Sequence, residues 1–328
     1  MVVEKLAEVT KKWFDENVEQ FNQEITNEFL NQAHLSPQTL SQYRSALYHF
    51  FKFVHDQCGN KSITDLKPRD ALRYQNFLIN RNLSSSAVKF KRSSVSSLCG
   101  YIELYYSDEF PLFRNIYNKK IPNPAASKRH EKVPLTEEEF FNLIEVLTER
   151  KEYQMVAYLL FTYETGCRRG ESRQLLRDFV NAEKAIDKKT GEEKPYYFTS
   201  EIRCKGRGKE GKLRKFPVSE IAMEALKKWH EERGEDDCPY MFVKKTKEGK
   251  VNQLSASTFN YWCTEIFTEI VGKRVHPHLL RSSKATNLSL YGGKSIDAIQ
   301  ALLGHNSPDT TKIYIVKDGE DELDELYE

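Results

Sequence analysis

Apolar side chains recur every three to four residues along most of this chain, so the elements it predicts are mainly helices. After an opening helix over Val3 to Phe29, Ser36 and Pro37 make an N-cap and first-turn pair. Leu40, Tyr43, Leu47, Phe50 or Phe51 and Val54 follow at helical spacing, and Gly59 ends the run. A short helix follows over Pro68 to Asn80, with Ala71, Leu72, Tyr74 or Gln75 and Leu78 inward. A longer one over Ser85 to Tyr105 carries Val88, Val95, Leu98 and Ile102. Periodicity then fails from Ile121 to Pro134, where three prolines and a basic cluster read as a linker. It resumes at Thr136, an N-cap whose capping box is completed by Glu139, ahead of Phe140, Leu143, Ile144 and Leu147.

The second half is more varied. Helices are predicted over Gln154 to Glu164 and Gly170 to Leu176, then a β segment from Tyr196 to Arg203. A break at Lys205 to Lys212 and a run from Leu213 to Val218 make this a hairpin. Helices return over Ser219 to Glu232, Ser255 to Val271, Leu279 to Tyr291 and Ser295 to Leu303. The pattern describes two domains: an all-α N-terminal domain, and a mainly α C-terminal domain with a small antiparallel β-sheet or hairpin.

Length agrees, since 328 residues exceed one comfortable hydrophobic core. With 39% apolar and 30% charged residues the chain falls outside the disordered and membrane classes. It contains no run of about 18 apolar residues, and Met1 to Thr10 lacks a signal-peptide pattern, so a cytoplasmic location is expected, with no membrane contact. The six cysteines form no C-x-x-C pair, which points to reduced, packed thiols and no structural metal. Net charge is only +2, but its distribution is uneven. Lys61 to Lys132 holds fourteen Lys and Arg against six acids, Glu201 to Phe216 seven against two, and Lys317 to Glu328 one against seven. The basic stretches suit a phosphate backbone and the acidic tail does not. Solvated helix faces are the plainer explanation of the same charges. The helix over Ser85 to Tyr105 carries Lys89, Lys91 and Arg92 on or near its polar side, which makes it a candidate groove-facing helix.

Four segments carry chemistry. In Thr165-Gly166-Cys167-Arg168-Arg169-Gly170-Glu171 an apolar helix runs into a glycine turn with two arginines; Glu171 can hold one guanidinium while another face of it meets a phosphate. A structural ion pair explains the same residues. In Cys204-Lys205-Gly206-Arg207-Gly208-Lys209 a basic glycine-rich turn lies between strands. It lacks the G-K-S/T of an ATP loop and the following helix of a dinucleotide site, which leaves a lysine able to donate a proton, or a solvated turn. In His276-Pro277-His278-Leu279-Leu280-Arg281, His278 and Arg281 share a face at a helix start, where the helix N-terminus adds a third donor to an anion. A metal pair of His276 and His278 lacks further ligands nearby. Finally, Leu303-Gly304-His305 is followed nine residues later by Tyr314, one of seventeen tyrosines and by itself a packing residue like the others.

In this order the segments resemble the tyrosine recombinase (phage integrase) family, whose catalytic domain carries T-G-x-R-x-x-E, a hairpin lysine, H-x-x-R and L-G-H before its nucleophile. The resemblance implies Arg168, Lys205, His278, Arg281, His305 and Tyr314 as catalytic residues, with Glu171 supporting Arg168. It implies a core-binding helical domain over residues 1–120, a linker over 121–134 and a catalytic domain over 135–328 that ends in the acidic tail. Lys89, Lys91 and Arg92, with Lys128 and Arg129 of the linker and Arg207 and Lys209 of the hairpin, are the expected DNA contacts. The family implies a 3′-phosphotyrosyl intermediate, no cofactor, double-stranded DNA with specific sites as substrate, and a homo-tetramer on that DNA at the nucleoid. Accessory DNA-bending proteins are further possible partners. Ser282 departs from the pattern, where a histidine is usual, and so does Arg169, where an apolar residue is usual. The alternative is a DNA-binding regulator of this fold that does not cut; all six catalytic positions are nevertheless filled. A metal-dependent nuclease needs a carboxylate cluster that the sequence lacks. A type IB topoisomerase uses nearly the same residues, but the core-binding domain and acidic tail favour recombination.

Overall fold

The structure, a computed structural model, describes residues 6–117, 121–125, 133–204, 211–304 and 315. These fall into two compact units, one up to residue 125 and one from residue 133.

In the first unit, α1 (Lys11–Asn17) and α2 (Gln20–Leu30) replace the single opening helix expected from periodicity. The chain breaks at extended Val18, and the Glu19 carboxylate caps α2 by accepting the N–H groups of Phe21 and Asn22 at 3.0 and 2.9 Å. A glutamate is an unusual N-cap, so no local signal announces this break. α3 (Pro37–Cys58), α4 (Pro68–Asn80) and α5 (Ser85–Tyr105) follow. Their starts are fixed by local chemistry. Ser36 Oγ accepts the Thr39 N–H, the Asp70 carboxylate accepts the Lys67 N–H, and Ser84 Oγ accepts the Ala87 N–H. Phe14, Ile25, Leu47, Phe51, Tyr74, Val95 and Leu98 fill the core. Phe50, Phe53 and Phe77 pack their rings around Tyr74, each centroid 5.1 to 6.3 Å away.

The second unit is built around α7 (Tyr153–Thr165), a helix buried on nearly every side. α6 (Glu137–Glu149), α9 (Glu220–Arg233) and α12 (Pro277–Leu290) pack against it. Thr136 and Glu139 form the expected capping box, with bonds of 3.1 and 2.8 Å. α8 (Arg169–Ser172) is a single turn, shorter than the sequence suggests. The expected long strand is divided between two sheets. β1 (Lys184–Ile186), β2 (Glu193–Phe198) and β5 (Pro217–Ser219) make an antiparallel sheet in the order β1-β2-β5. β3 (Ile202–Cys204) and β4 (Lys212–Arg214) make a separate hairpin, with Ile202 opposite Arg214 and Cys204 opposite Lys212. The change of sheet occurs where Thr199 and Phe216 exchange hydrogen bonds, the Thr199 N–H to Phe216 O at 3.1 Å and the Phe216 N–H to Thr199 Oγ1 at 3.0 Å.

A second hairpin, β6 (Val243–Lys245) and β7 (Val251–Gln253), precedes α10 (Ala256–Tyr261). The helical path continues through a π segment, Trp262–Phe267, into α11 (Thr268–Val271). α13 (Ile296–Leu303) comes last among the described helices. No helix among the described residues is long and apolar enough to cross a membrane. The six cysteines are free thiols, four of them buried.

Candidate active site

α7 ends at Gly166, whose φ of +58° is left-handed and whose bare Cα is needed for a second reason. A Cβ there would lie 2.6 Å from Leu303 Cδ2. This close approach brings the end of α13 against the arginine turn. Two residues on, the Arg168 N–H donates to Glu171 Oε2 at 2.7 Å while its Nη1 donates to Glu171 Oε1 at 3.1 Å. Glu171 is buried and Arg168 keeps 30% of its side chain exposed. One carboxylate thus fixes both the backbone and the side chain of Arg168, and leaves part of the guanidinium accessible to an anion.

Arg281, expected to share a face with His278, points inward. It is fully buried, and its guanidinium donates to two carbonyls: Gly166 O through Nη1, and Leu303 O through Nη2 at 2.8 Å. Two other motif segments, 115 and 22 residues distant, therefore meet at the Arg281 side chain. His278 is the exposed residue of the first turn of α12, between buried Pro277 and Leu279. Partial loss of hydration, followed by the charges of Arg168, Arg281 and Arg169 and the neighbouring His276, lowers its pKa below the ordinary histidine value. It is biased toward the neutral form that can accept a proton. His276 is the N-cap of α12: its Nδ1 accepts the Leu279 N–H at 3.0 Å, which accounts for a residue that the sequence left as a possible metal ligand. Among the described residues no three His, Cys, Asp or Glu side chains cluster so as to hold a metal ion.

The lysine hairpin is anchored at the same place. Gln174, just past α8, donates to Arg203 O at 2.9 Å and accepts the Arg203 N–H at 3.1 Å. Burial and the facing Glu171 carboxylate push the Cys204 thiol up to about 11. Lys205, His305 and Tyr314 lie outside the described residues, as do Lys128, Arg129, Arg207 and Lys209. Of the departures from the family pattern, Ser282 is buried in α12, and Arg169 reaches Asn260 Oδ1 at 3.4 Å.

α12 is tied to the start of its unit as well. Ser283 Oγ accepts the Leu135 N–H at 2.8 Å, and Asn287 Nδ2 donates to Leu135 O and Tyr163 Oη at 3.2 and 2.8 Å. Sequence reasoning also passed over Arg214, which donates to Ala301 O and Leu302 O on α13. The one signal for it was its place on the return strand of the lysine hairpin.

In the first unit the three basic residues of α5 have different environments. Lys89 is exposed. Lys91 is half-buried, and desolvation lowers its pKa to about 8. Arg92 is a correction: it is buried, donates to Pro122 O at 2.8 Å and Ile121 O at 3.2 Å, and lies over the Tyr117 ring. Its guanidinium ties residues 121 and 122 to α5.

The model of the phage integrase family matches residues 134–320, and that of the phage integrase N-terminal SAM-like domain matches residues 4–103. The chain is 31% identical over 328 residues to the SPbeta prophage-derived recombinase-like protein YomM of Bacillus subtilis, covering 98% of this chain and 95% of that one. It is 30% identical over 291 residues to the tyrosine recombinase XerA of Pyrococcus furiosus, covering 89% and 88%. Two solved structures share its fold. One is the Tn1549 transposon integrase in complex with transposon right end DNA, with a TM-score of 0.68 at 15% identity, covering 94% of this chain and 99% of that one. The other is a lambda integrase dimer bound to a COC' core site, with a TM-score of 0.65 at 16% identity, covering 91% and 95%. The chain belongs to the phage integrase family and is a tyrosine-type site-specific recombinase.

Proposed function

We propose that this protein cleaves and rejoins double-stranded DNA at specific sites, with Tyr314 as nucleophile and Arg168, Lys205, His278, Arg281 and His305 around the scissile phosphate. The observation that carries this reading is the meeting of Gly166, Arg281 and Leu303. It supports a site in which Arg168, two residues past Gly166, and His305, two residues past Leu303, converge on one anion.

In this reading Tyr314 Oη attacks phosphorus and forms a 3′-phosphotyrosyl bond as the bond to the 5′ oxygen breaks. The tyrosine proton passes to neutral His278, and Lys205 supplies a proton to the departing 5′ oxygen. Arg168 and His305 stabilise charge on the non-bridging oxygens, and Arg281 does so from behind while holding the two backbone segments in place. A 5′ hydroxyl of the partner strand then reverses the step. One phosphodiester replaces another, so no nucleotide cofactor is required.

Four protomers on two DNA sites, a homo-tetramer exchanging strands through a Holliday junction, fit this chemistry, with accessory DNA-bending proteins where the sites need them. The protein acts at the nucleoid in the cytoplasm. The core-binding domain over 1–120 contributes Lys89 and Lys91 to the phosphate backbone, the linker over 121–134 contributes Lys128 and Arg129, and the catalytic domain over 135–328 contributes Arg207 and Lys209.

The test is a nicked suicide substrate. Wild-type protein is expected to give a denaturation-resistant adduct and a free 5′ hydroxyl without added nucleotide. Tyr314→Phe should bind the duplex and give no adduct. Tight site binding without any wild-type adduct would overturn the reading.

A further inference from the structure

Two arginines from different elements donate to carbonyls of the last turn of α13. Arg281 of α12 takes Leu303 O, while Arg214 of β4 takes Ala301 O at 2.8 Å and Leu302 O at 2.5 Å through one Nη. The Arg214 guanidinium lies over the Phe216 ring, 4.6 Å from its centroid, which fixes its direction from behind. Gly304 completes the fit. A Cβ there would come within 2.4 Å of Arg214 Nη1 and 2.8 Å of its Cζ. Apart from these bonds α13 is lightly held: its buried apolar residues are Ile299 and Leu303, in a small cluster with Ala285.

β4 is the return strand of the hairpin whose outgoing strand ends at Cys204, immediately before Lys205. Arg214 therefore joins the hairpin that carries Lys205 to the helix end that precedes His305. We infer that Arg214 is a positioning residue for strand cleavage, docking the lysine hairpin on the α13 C-terminus and so setting where Lys205 meets the departing 5′ oxygen. The inference rests on the roles given to Lys205 and Tyr314 in the proposed function.

Single-turnover cleavage of a nicked suicide substrate tests it, run beside the same duplex with sulfur in place of the bridging 5′ oxygen. A thiolate leaves without a proton, so sulfur repairs a loss of leaving-group protonation and does not repair a loss of phosphate stabilisation, binding or folding. Arg214→Ala is expected to slow cleavage of the oxygen substrate by roughly 10- to 100-fold, the range of a lost charge-assisted hydrogen bond. Most of that loss should be recovered on sulfur, as for Lys205→Ala, with Arg214→Lys intermediate. Gly304→Ala pushes on the Arg214 guanidinium from the helix side and should show the same rescue, which keeps the test alive if Arg214→Ala does not fold. Equal slowing on both substrates in a folded variant overturns the inference and leaves the proposed function standing. A wild-type protein that forms no adduct on either substrate removes the assignment of Tyr314, and this inference with it.

Discussion

α5 in the first unit and α12 in the second each bury an arginine whose guanidinium bonds two main-chain carbonyls. Arg92 on α5 holds Ile121 and Pro122, 29 and 30 residues downstream in its own unit. Arg281 on α12 holds Gly166 and Leu303, which belong to two other motifs. The device is the same, because a guanidinium is weakly hydrated and offers five donors, so it tolerates burial when carbonyls satisfy it. The consequence differs with what the held chain carries next. The carbonyls of Arg92 lie in the proline-containing stretch that follows its own domain; in sequence, Arg168 comes two residues after Gly166 and His305 two residues after Leu303.

Arg281→Ala is expected to slow adduct formation by at least about 10²-fold in single-turnover assays, the scale of losing one preorganised transition-state donor. Arg281→Lys should not restore the rate, since one ammonium cannot bridge two carbonyls and face a phosphate. A rate within about threefold of wild type for Arg281→Ala would show that its contacts are structural only, on the scale used for mutant kinetics.

At Arg92 the expected effect is on stability. Arg92→Ala should lower the unfolding free energy by about 1–3 kcal/mol, measured by urea melts, through loss of its two charge-assisted hydrogen bonds. The salt dependence of DNA binding should stay unchanged. Lys89→Ala is the contrast: stability within about 0.5 kcal/mol of wild type, and a salt slope reduced by about one charge. A reduced slope in Arg92→Ala would return that residue to the DNA contacts.

The smallest effect is on pH dependence. Because desolvation and neighbouring cations hold the His278 pKa below 6.5, the acid limb of the cleavage profile should lie below 6.5. Arg169→Ala removes one repelling charge, so the limb should move to higher pH. The sign for folding follows the same shift. The unfolded chain binds this proton more readily, so His278 lowers stability as pH falls below 6.5. An acid limb unmoved by Arg169→Ala would assign it to another group.

The helices with explicit start signals were legible in the sequence, since Ser36 with Pro37 and Thr136 with Glu139 state their caps locally. The break between α1 and α2 was not, because Glu19 caps where a short polar residue is usual. Nor was the division of the long strand between two sheets, which depends on the pairing of Thr199 with Phe216, 17 residues apart. The family was legible from the order and spacing of the motif segments. Their environments were not: Arg92 stands between Val88 and Val95 on the buried side of α5, and the carbonyls that satisfy Arg92 and Arg281 come from segments distant in sequence. Arg214 was hidden for the same reason, one cation among seven between Glu201 and Phe216.

Lys91 has a consequence for chemical modification. Its desolvation leaves a pKa of about 8, whereas an ordinary lysine titrates near 10.5. At pH 8 roughly half of its amine is unprotonated, against well under ~1% for an ordinary lysine. An amine in that state is nucleophilic, so limited treatment with an acylating reagent should label Lys91 ahead of exposed lysines such as Lys89. Mass-spectrometric footprinting would then read the occupancy of α5 by DNA at a single residue, without a tag or a substitution.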